Sequence, residues 1–284
     1  MPSNRRRVIL KTIAATLAAS ALLGAAGAWV LLKSGWYHVG STDQHFQITH
    51  SVLEQGMRES VAFHARDVVV PQDLDSAPRI RRGAMVYRDN CVQCHGGPGA
   101  APNGFARSMQ PVPGPLVDAA RHWPATHLYW ITRHGIKMSG MPAWEFHLSD
   151  DELWAVTAFM RRLPALSAPA FAEMMALPAA PAAPRASTST RALGDPARGR
   201  IALTQYACNA CHIIPGVTGS RVYVGRPLTK LAGQKYVAGV LPTSQANLVR
   251  WIRDPQSVDP QAAMPNLGVS DADALDISAY LLAQ

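Results

Sequence analysis

The sequence Cys91-Val92-Gln93-Cys94-His95 and its counterpart Cys208-Asn209-Ala210-Cys211-His212 decide the fold of this chain. Together they contain all four cysteines of the 284 residues. A C-x-x-C pair alone has three ordinary interpretations: a redox-active pair, half of a zinc site, or a disulfide. None of them explains why a histidine directly follows the second cysteine in both places.

The pattern C-x-x-C-H is the attachment sequence of haem c. Two thiols form thioethers with the porphyrin vinyl groups, and the adjacent histidine binds the iron from one face. The sequence therefore predicts two covalently attached haem c groups. The predicted attachment residues and first iron ligands are Cys91, Cys94, His95, Cys208, Cys211 and His212.

The formal net charge of +8 is concentrated at the N-terminus. Arg5, Arg6, Arg7, Lys11 and Lys33 contribute +5, which leaves +3 for the rest of the chain. The high pI therefore indicates a basic flank of an apolar segment and not a nucleic-acid-binding surface. The sequence has no basic stripe with interleaved aromatics and no glycine-rich phosphate loop.

An uncharged apolar segment, Thr12 to Leu32, follows the arginine triplet. As a helix it would be about 31 Å long, enough to cross the hydrocarbon core of a bilayer. The preceding positive charge predicts a single-pass protein of the cytoplasmic membrane with its remaining domains in the periplasm. The alternative is a signal peptide cleaved near Ala26-Gly27-Ala28. The length of the segment, with Trp29 and Trp36 near its outer end, favours a retained anchor.

Two units of the chain repeat one order of sequence signals. A helix with an Arg-Gly pair precedes each haem motif, and a Pro-Leu pair, a further helix, a Met-Pro pair and a Ser-Asp helix start follow it. The pairs are Arg82-Gly83 and Arg198-Gly199, Pro115-Leu116 and Pro227-Leu228, helices over 127–131 and 247–252, Met141-Pro142 and Met264-Pro265, and Ser149 and Ser270. Each serine precedes an acidic residue by three positions, which resembles a capping box. The repetition predicts two small helical domains of the same kind.

The predicted fold class is all-α, with an N-terminal transmembrane helix and two small helical domains joined by a Pro/Ala-rich linker. The expected segments are an anchor in 1–33, a juxtamembrane segment in 34–78 with a helix near 44–64, a first domain in 79–164, a linker in 165–196 and a second domain in 197–284. Within the linker, Pro178 to Pro184 alternates proline with alanine pairs and predicts an extended, semi-rigid spacer.

Each iron is expected to have a methionine as its second axial ligand. Met264 is the only methionine after Cys211, and no histidine follows His212. In the first unit Met141 alone shares the Met-Pro arrangement of Met264. The other candidates there are Met109, Met138, His122, His127, His134 and His147. Two six-coordinate haems leave no open position for substrate, which predicts an electron carrier and not an enzyme.

Four aromatic side chains are expected to pack around the haems. They are Tyr129, Trp130, Trp144 and Trp251. Apolar surroundings of this kind lower the local dielectric constant and influence the reduction potential.

With these residues the chain resembles membrane-anchored dihaem cytochromes c of bacterial respiratory chains. Both units resemble class I cytochrome c domains, over roughly residues 80–163 and 195–283. The segment from Gly135 to Trp144 is similar to the axial-ligand loop of bacterial monohaem modules. The segment from Ala263 to Gly268 is similar to modules encoded beside haem-copper terminal oxidases.

The resemblance also implies details of the haem histidines. A backbone carbonyl near Pro115 or Pro227 would anchor the second ring nitrogen of each histidine. Arg226 departs from the family pattern, in which glycine or proline often precedes the Pro-Leu pair.

The resemblance implies transfer of electrons in the periplasm, from a quinol-oxidising complex or soluble cytochrome to a terminal oxidase. Redox proteins would be the partners, together with the membrane, and no nucleic acid is expected. The alternatives are a dihaem subunit of a haem-copper oxidase and the cytochrome subunit of a periplasmic dehydrogenase. A dihaem enzyme such as a peroxidase would need one haem with a labile or absent sixth ligand.

Overall fold

The structure, a computed structural model, describes residues 2–178, 193–219 and 224–284. It is predominantly helical, which confirms the predicted fold class. The chain divides into two compact units, Met1–Ala183 and Pro184–Gln284.

The first unit contains eight α-helices in its described residues: α1 (Pro2–Ser34), α2 (Gln47–His64), α3 (Ala77–Asn90), α4 (Val92–His95), α5 (Ala119–His122), α6 (Ala125–His134), α7 (Asp150–Met160) and α8 (Ala168–Met175). Short 3₁₀ helices occupy Ala106–Ser108, Trp144–Phe146 and Leu163–Ala165. The second unit contains α9 (Pro196–Gln205), α10 (Gln245–Arg253), α11 (Pro255–Val258) and α12 (Asp271–Leu282), with 3₁₀ helices at Cys208–Ala210 and Leu231–Gly233. Strands β1 (Tyr236–Val237) and β2 (Leu241–Pro242) form a small antiparallel pair in which Val237 faces Leu241.

Helix α1 contains the predicted membrane segment. Residues Asn4–Ser34 are long and apolar enough to cross a bilayer, and the most apolar stretch of this helix contains no buried residue. A signal sequence near an N-terminus meets the same criteria of length and composition.

The core of the first unit forms where α3 crosses α7. Tyr87 of α3 is fully buried against Phe159 of α7, with ring centroids 5.2 Å apart. Its hydroxyl donates to the carbonyl of Gly96, just after the haem motif, at 2.8 Å. The core therefore fixes the position of the chain that leaves the first C-x-x-C-H sequence.

The second unit has the same construction. Helix α9, before the haem motif, packs on the last helix, α12, through Leu203 and Ile277. Helix α10 packs on α12 with Leu248 and Ile252 buried. The order of sequence signals thus corresponds to a repeated helix arrangement.

The Ser-Asp helix starts form as predicted. Ser149 and Glu152 make a reciprocal capping box at α7: the serine hydroxyl accepts from the Glu152 N–H, and the glutamate accepts from the Ser149 N–H at 2.9 Å. At α12 the Ser270 hydroxyl accepts from the Asp273 N–H at 3.1 Å and donates to the Asp273 carboxylate. Each cap satisfies a free N–H group in the first helical turn.

The first part of the expected linker in 165–196 is helical. Helix α8 lies within this range, and its Phe171 is 2% exposed and packs against Tyr87 of the first core. The proline-rich stretch after Pro178 lies outside the described residues up to 192. One buried aromatic ring is the physical reason that the chain folds back onto α3 before that stretch.

The expected juxtamembrane segment in 34–78 also contributes to the first unit. Val61 and Ala65 are each 1% exposed, and Leu74 belongs to the same buried cluster as Tyr87. The helix predicted near 44–64 is α2, and it packs on α6.

Candidate haem-binding sites

A cavity of about 420 Å³ opens beside the first haem motif. Cys91, Cys94, His95 and Met141 all line it. Apolar side chains form most of the remaining wall: Leu116, Trp123, Leu128, Ile131, Ile136, Trp144, Val156 and Met160. The sequence-predicted residues of the first unit therefore meet at one apolar cavity.

The ring of His95 is held by the backbone. Its Nδ1 donates to the carbonyl oxygen of Gly114 at 2.7 Å, so that Nε2 keeps its lone pair for a metal. Burial lowers the pKa of His95, and the hydrogen bond to Gly114 only partly opposes this effect. The carbonyl that accepts this bond belongs to Gly114, directly before Pro115, where the resemblance implied such a carbonyl.

None of the four cysteines forms a disulfide. Burial raises the pKa of Cys91 to about 12, with a smaller contribution from Cys94. Burial also raises the pKa of Cys208. A redox-active C-x-x-C pair needs a thiol with a lowered pKa, so these environments disfavour the thioredoxin-like interpretation.

Met141 lies in a loop whose backbone is closely fixed. The Ile136 N–H donates to the Met141 carbonyl at 3.2 Å, and the Met141 N–H donates to the Ser139 hydroxyl at 3.1 Å. Gly135 ends α6 with a φ of +66°, and a Cβ there would lie 2.6 Å from the Met141 oxygen. The loop therefore needs glycine at 135 to bring Met141 to the cavity.

The competing methionines lie elsewhere. Met138 is 93% exposed, has a φ of 58° and does not line the cavity. Met109 does not line the cavity either, although its sulfur lies beside Gly140, which does. Met141 is thus the one of the three predicted methionine candidates that borders the cavity.

Of the histidine candidates, His122 lines the cavity and the other three do not. His134 pairs with Glu145 at 3.3 Å, and the rings of His127 and His147 pack on Trp123 and Trp144.

Two of the four expected aromatic residues border a cavity. Trp144 lines the first cavity and Trp251 the second. Tyr129 instead stacks on Trp154 with centroids 4.1 Å apart, and Trp130 stacks on His64 of α2. The expectation for Tyr129 and Trp130 was wrong because they point from α6 towards α7 and α2, whereas Leu128 and Ile131 face the cavity.

The second unit has a cavity of about 290 Å³ beside its own haem motif. Cys208, His212 and Met264 line it, and Cys211 is not part of the lining. The Nδ1 of His212 donates to the carbonyl oxygen of Arg226 at 2.7 Å. Arg226, the departure from the family pattern, therefore leaves the hydrogen bond intact and equivalent to that of His95.

The loop with Met264 is held by one glutamine. The side-chain amide of Gln256, in α11, donates to the carbonyl of Met264 at 2.7 Å and to that of Ala262 at 3.1 Å. Such support fixes a ligand loop at little entropic cost. This role could not be predicted from the sequence, since an isolated glutamine has many possible partners.

Many residues of the first cavity were not predicted as site residues, among them Met57, Arg58 and Met160. Met160 ends α7 and is 4% exposed, in keeping with its place in the core. Met57 and Arg58 belong to α2. The amphipathic pattern of α2 predicted a packed face but not the cavity on which that face lies.

The residues of both cavities fit a haem c. Each cavity has an apolar wall, at least one thiol of a C-x-x-C pair, a histidine whose ring is fixed through Nδ1, and a methionine on a restrained loop. Among the described residues, no three histidine, cysteine, aspartate or glutamate side chains group as a metal site of their own.

The helical fold and the first cavity are similar to those of a cytochrome c domain. Residues 78–160 match the family described as "Cytochrome C oxidase, cbb3-type, subunit III". Cytochrome c oxidase subunit 2 of Alkalihalophilus pseudofirmus is 34% identical over 85 residues, which are 30% of this chain and 24% of that protein. The chain thus matches about a quarter of the length of this curated relative. No solved structure matches the chain significantly.

Proposed function

We propose that the chain is a dihaem c-type cytochrome that transfers electrons on the periplasmic side of the cytoplasmic membrane, with α1 as a retained anchor. The observation that carries this proposal is the pair of cavities, each bordered by thiol, histidine and methionine side chains of one unit. The domains would be residues 79–164, extended by α2 and α8, and residues 197–284.

In this proposal His95 and Met141 bind the first iron, and His212 and Met264 bind the second. Haem c supplies a one-electron couple at its iron when bound. The carbonyls of Gly114 and Arg226 hold the histidine rings in the orientation that directs Nε2 into each cavity. The apolar walls exclude water, and thioether ligation favours the reduced iron.

A terminal oxidase is the proposed electron acceptor, and a quinol-oxidising complex or soluble cytochrome the donor. The match of residues 78–160 to a family named after an oxidase subunit supports this choice. The same match favours a second candidate, in which the chain is itself a dihaem subunit of a haem-copper oxidase. Such a subunit would co-purify with the oxidase in a fixed ratio, whereas a carrier would separate from it.

The decisive experiment is purification from detergent-solubilised membranes followed by a haem assay, redox titration and exposure of the reduced protein to carbon monoxide. We expect two haems per chain that resist acid–acetone extraction, two one-electron transitions, and no carbon monoxide binding. Carbon monoxide binding to one haem would favour a dihaem enzyme. A protein without covalent haem would contradict the whole proposal.

A further inference from the structure

Helix α2 lies outside the residues that match the cytochrome family, 78–160, yet it forms part of the first cavity wall. Met57 and Arg58 line the cavity, and Val61, one turn further on, is 1% exposed. At its end, His64 stacks on Trp130 of α6 with ring centroids 5.5 Å apart. The helix is therefore seated on the domain along more than one turn.

The guanidinium of Arg58 is held on two sides. Its carbon lies 4.9 Å from the ring centroid of Trp123, which also lines the cavity. Its Nε and Nη2 donate to the Glu54 carboxylate at 3.1 and 3.0 Å. Within the described chain, Nη1 makes no hydrogen bond, so the guanidinium retains donor capacity at the cavity rim.

Arg58 is the one lysine or arginine among the described residues that line the first cavity. Asp118, the acidic residue in the same lining, is paired with Arg121 at 3.1 Å. The ion pair between Arg58 and Glu54 joins two half-exposed side chains one turn apart, and a solvent-screened pair of this kind is weak. Glu54 therefore competes only weakly with a second, buried or partly buried anion for the guanidinium of Arg58.

The second cavity also has a single arginine in its described lining, Arg226. Arg226 is the residue whose carbonyl accepts the bond from His212. The equivalent position in the first unit is Gly114, which has no side chain. The first unit thus lacks the loop arginine of the second and has an arginine from α2 instead.

We propose that Arg58 is a positioning residue of the first haem site, whose positive charge compensates the propionate groups that every haem carries, and that α2 is therefore part of this site. The inference rests on the proposed function, since it concerns the haem of the first unit. A cation near the iron destabilises the oxidised form more than the reduced form, because oxidation adds a positive charge. Removal of the Arg58 charge should therefore lower the reduction potential of the first haem.

The test is a redox titration of the full-length, haem-loaded protein and its Arg58→Gln variant, with haem content measured in parallel. We expect the oxidised/reduced equilibrium of one haem to shift several-fold towards oxidised, up to about tenfold, or ~59 mV for one electron. The other haem should not change. Arg58→Lys keeps the charge and should recover at least half of the reduction potential that Arg58→Gln loses.

Arg66→Gln is the matched control, since Arg66 lies two residues after the end of α2, stacks over Phe63 at 4.1 Å and does not line the cavity. It removes the same charge and should leave both potentials unchanged. Arg226→Gln should lower the potential of the other haem.

Equal shifts in Arg58→Gln and Arg66→Gln would overturn the inference, as would a shift of the same haem in Arg58→Gln and Arg226→Gln. Loss of the first haem in both Arg58→Gln and Arg58→Lys would overturn the charge-compensating role as well. A wild-type protein without covalent haem would instead contradict the proposed function. The two failures are therefore distinguishable by the haem assay.

Discussion

Gly83 of α3 lies directly against the backbone of Ala155 in α7, and a Cβ at position 83 would be 1.9 Å from the Ala155 carbonyl oxygen. Gly199 of α9 has the same relationship to Asp276 of α12, at 2.0 Å. In each unit the preceding arginine pairs with an acidic residue of the opposite helix: Arg82 with Glu152, and Arg198 with Asp276, both at 3.0 Å. The repeated Arg-Gly signal therefore marks the contact between the helix that precedes each haem motif and the helix that follows each Met-Pro pair.

Substitution Gly83→Ala should destabilise the first unit by about 1–3 kcal/mol, because α3 and α7 must separate to admit the methyl group. Chemical denaturation of the haem-loaded protein, followed at each haem, would measure this loss. Gly56→Ala is the control: position 56 is a helical glycine of α2 with nothing within 4 Å of an added Cβ, and alanine should be neutral or stabilising there. Equal stability of Gly83→Ala and the wild type would contradict the helix contact.

Replacement of Met141 by leucine should remove methionine ligation at the first haem. We expect the ferric methionine–iron charge-transfer signal to fall by half, the potential of that haem to fall, and carbon monoxide to bind. Met138→Leu should change none of these, since Met138 is exposed to solvent. Met57 also lines the first cavity, and Met57→Leu should keep the full charge-transfer signal. Loss of the signal in either control instead of Met141→Leu would reassign the ligand.

The double substitution Cys208→Ala and Cys211→Ala should leave one covalent haem per chain. The pyridine haemochrome absorbance per mole of protein should fall by half, because each thioether pair belongs to its own unit. The equivalent double substitution at Cys91 and Cys94 should give the same value. Retention of two acid-stable haems in either variant would show that attachment does not use these thiols.

Glu152 should contribute to stability in a pH-dependent way. Partial burial raises the pKa of this carboxyl, but hydrogen bonds from Ser149 and the charge of Arg82 outweigh it, so that the pKa is lowered overall. The contribution is therefore complete above the unfolded pKa of about 4.3 and is lost as the pH falls through the lower folded pKa. Glutamine keeps an acceptor for the Ser149 N–H but removes the charge that pairs with Arg82. Glu152→Gln should therefore lose about 0.5 kcal/mol at pH 7, and the difference from the wild type should shrink near pH 3.

The control for this pH dependence is Glu59→Gln, an exposed residue of α2 bonded to Gln55. Its unfolding free energy should follow that of the wild type at both pH values. A loss in Glu152→Gln that is the same at pH 3 and pH 7 would rule out the carboxylate charge as its source.

Membrane attachment should depend on α1. A chain that begins at Ser41, exported behind another signal peptide, should be soluble, keep α2 and bind two haems. Fractionation into membrane and periplasm, with mass analysis of the N-terminus, gives the result. Native protein recovered from the periplasm with an N-terminus near Trp29 would establish cleavage and contradict the anchor.

The helical fold could be predicted, and the residues that we propose hold the haems could be chosen, because their signals are local. The C-x-x-C-H motifs, the Met-Pro pairs and the serine caps each depend on residues close together in sequence. Their repetition in the same order made the two-unit organisation readable without tertiary information.

What the sequence could not reveal depends on contacts between distant segments. The composition around α8, rich in alanine and proline, predicts a linker. The burial of Phe171 against Tyr87 depends on a distant segment and leaves no local signal. The direction of Tyr129 and Trp130 follows from the rotation of α6 in the fold. The role of Arg58 depends on where α2 is seated, and no periodicity encodes that position.

The packing of α2 on the first cavity determines where this domain must begin if it is transferred to another protein. A module cut at residue 78, where the family similarity begins, would lose the side chains of Met57, Arg58 and Val61 and leave one wall of its cavity open to water. A graft that starts before Gln47 would carry its own wall with it. The piece of this chain that carries a complete first cavity therefore begins before residue 78, where the family match starts.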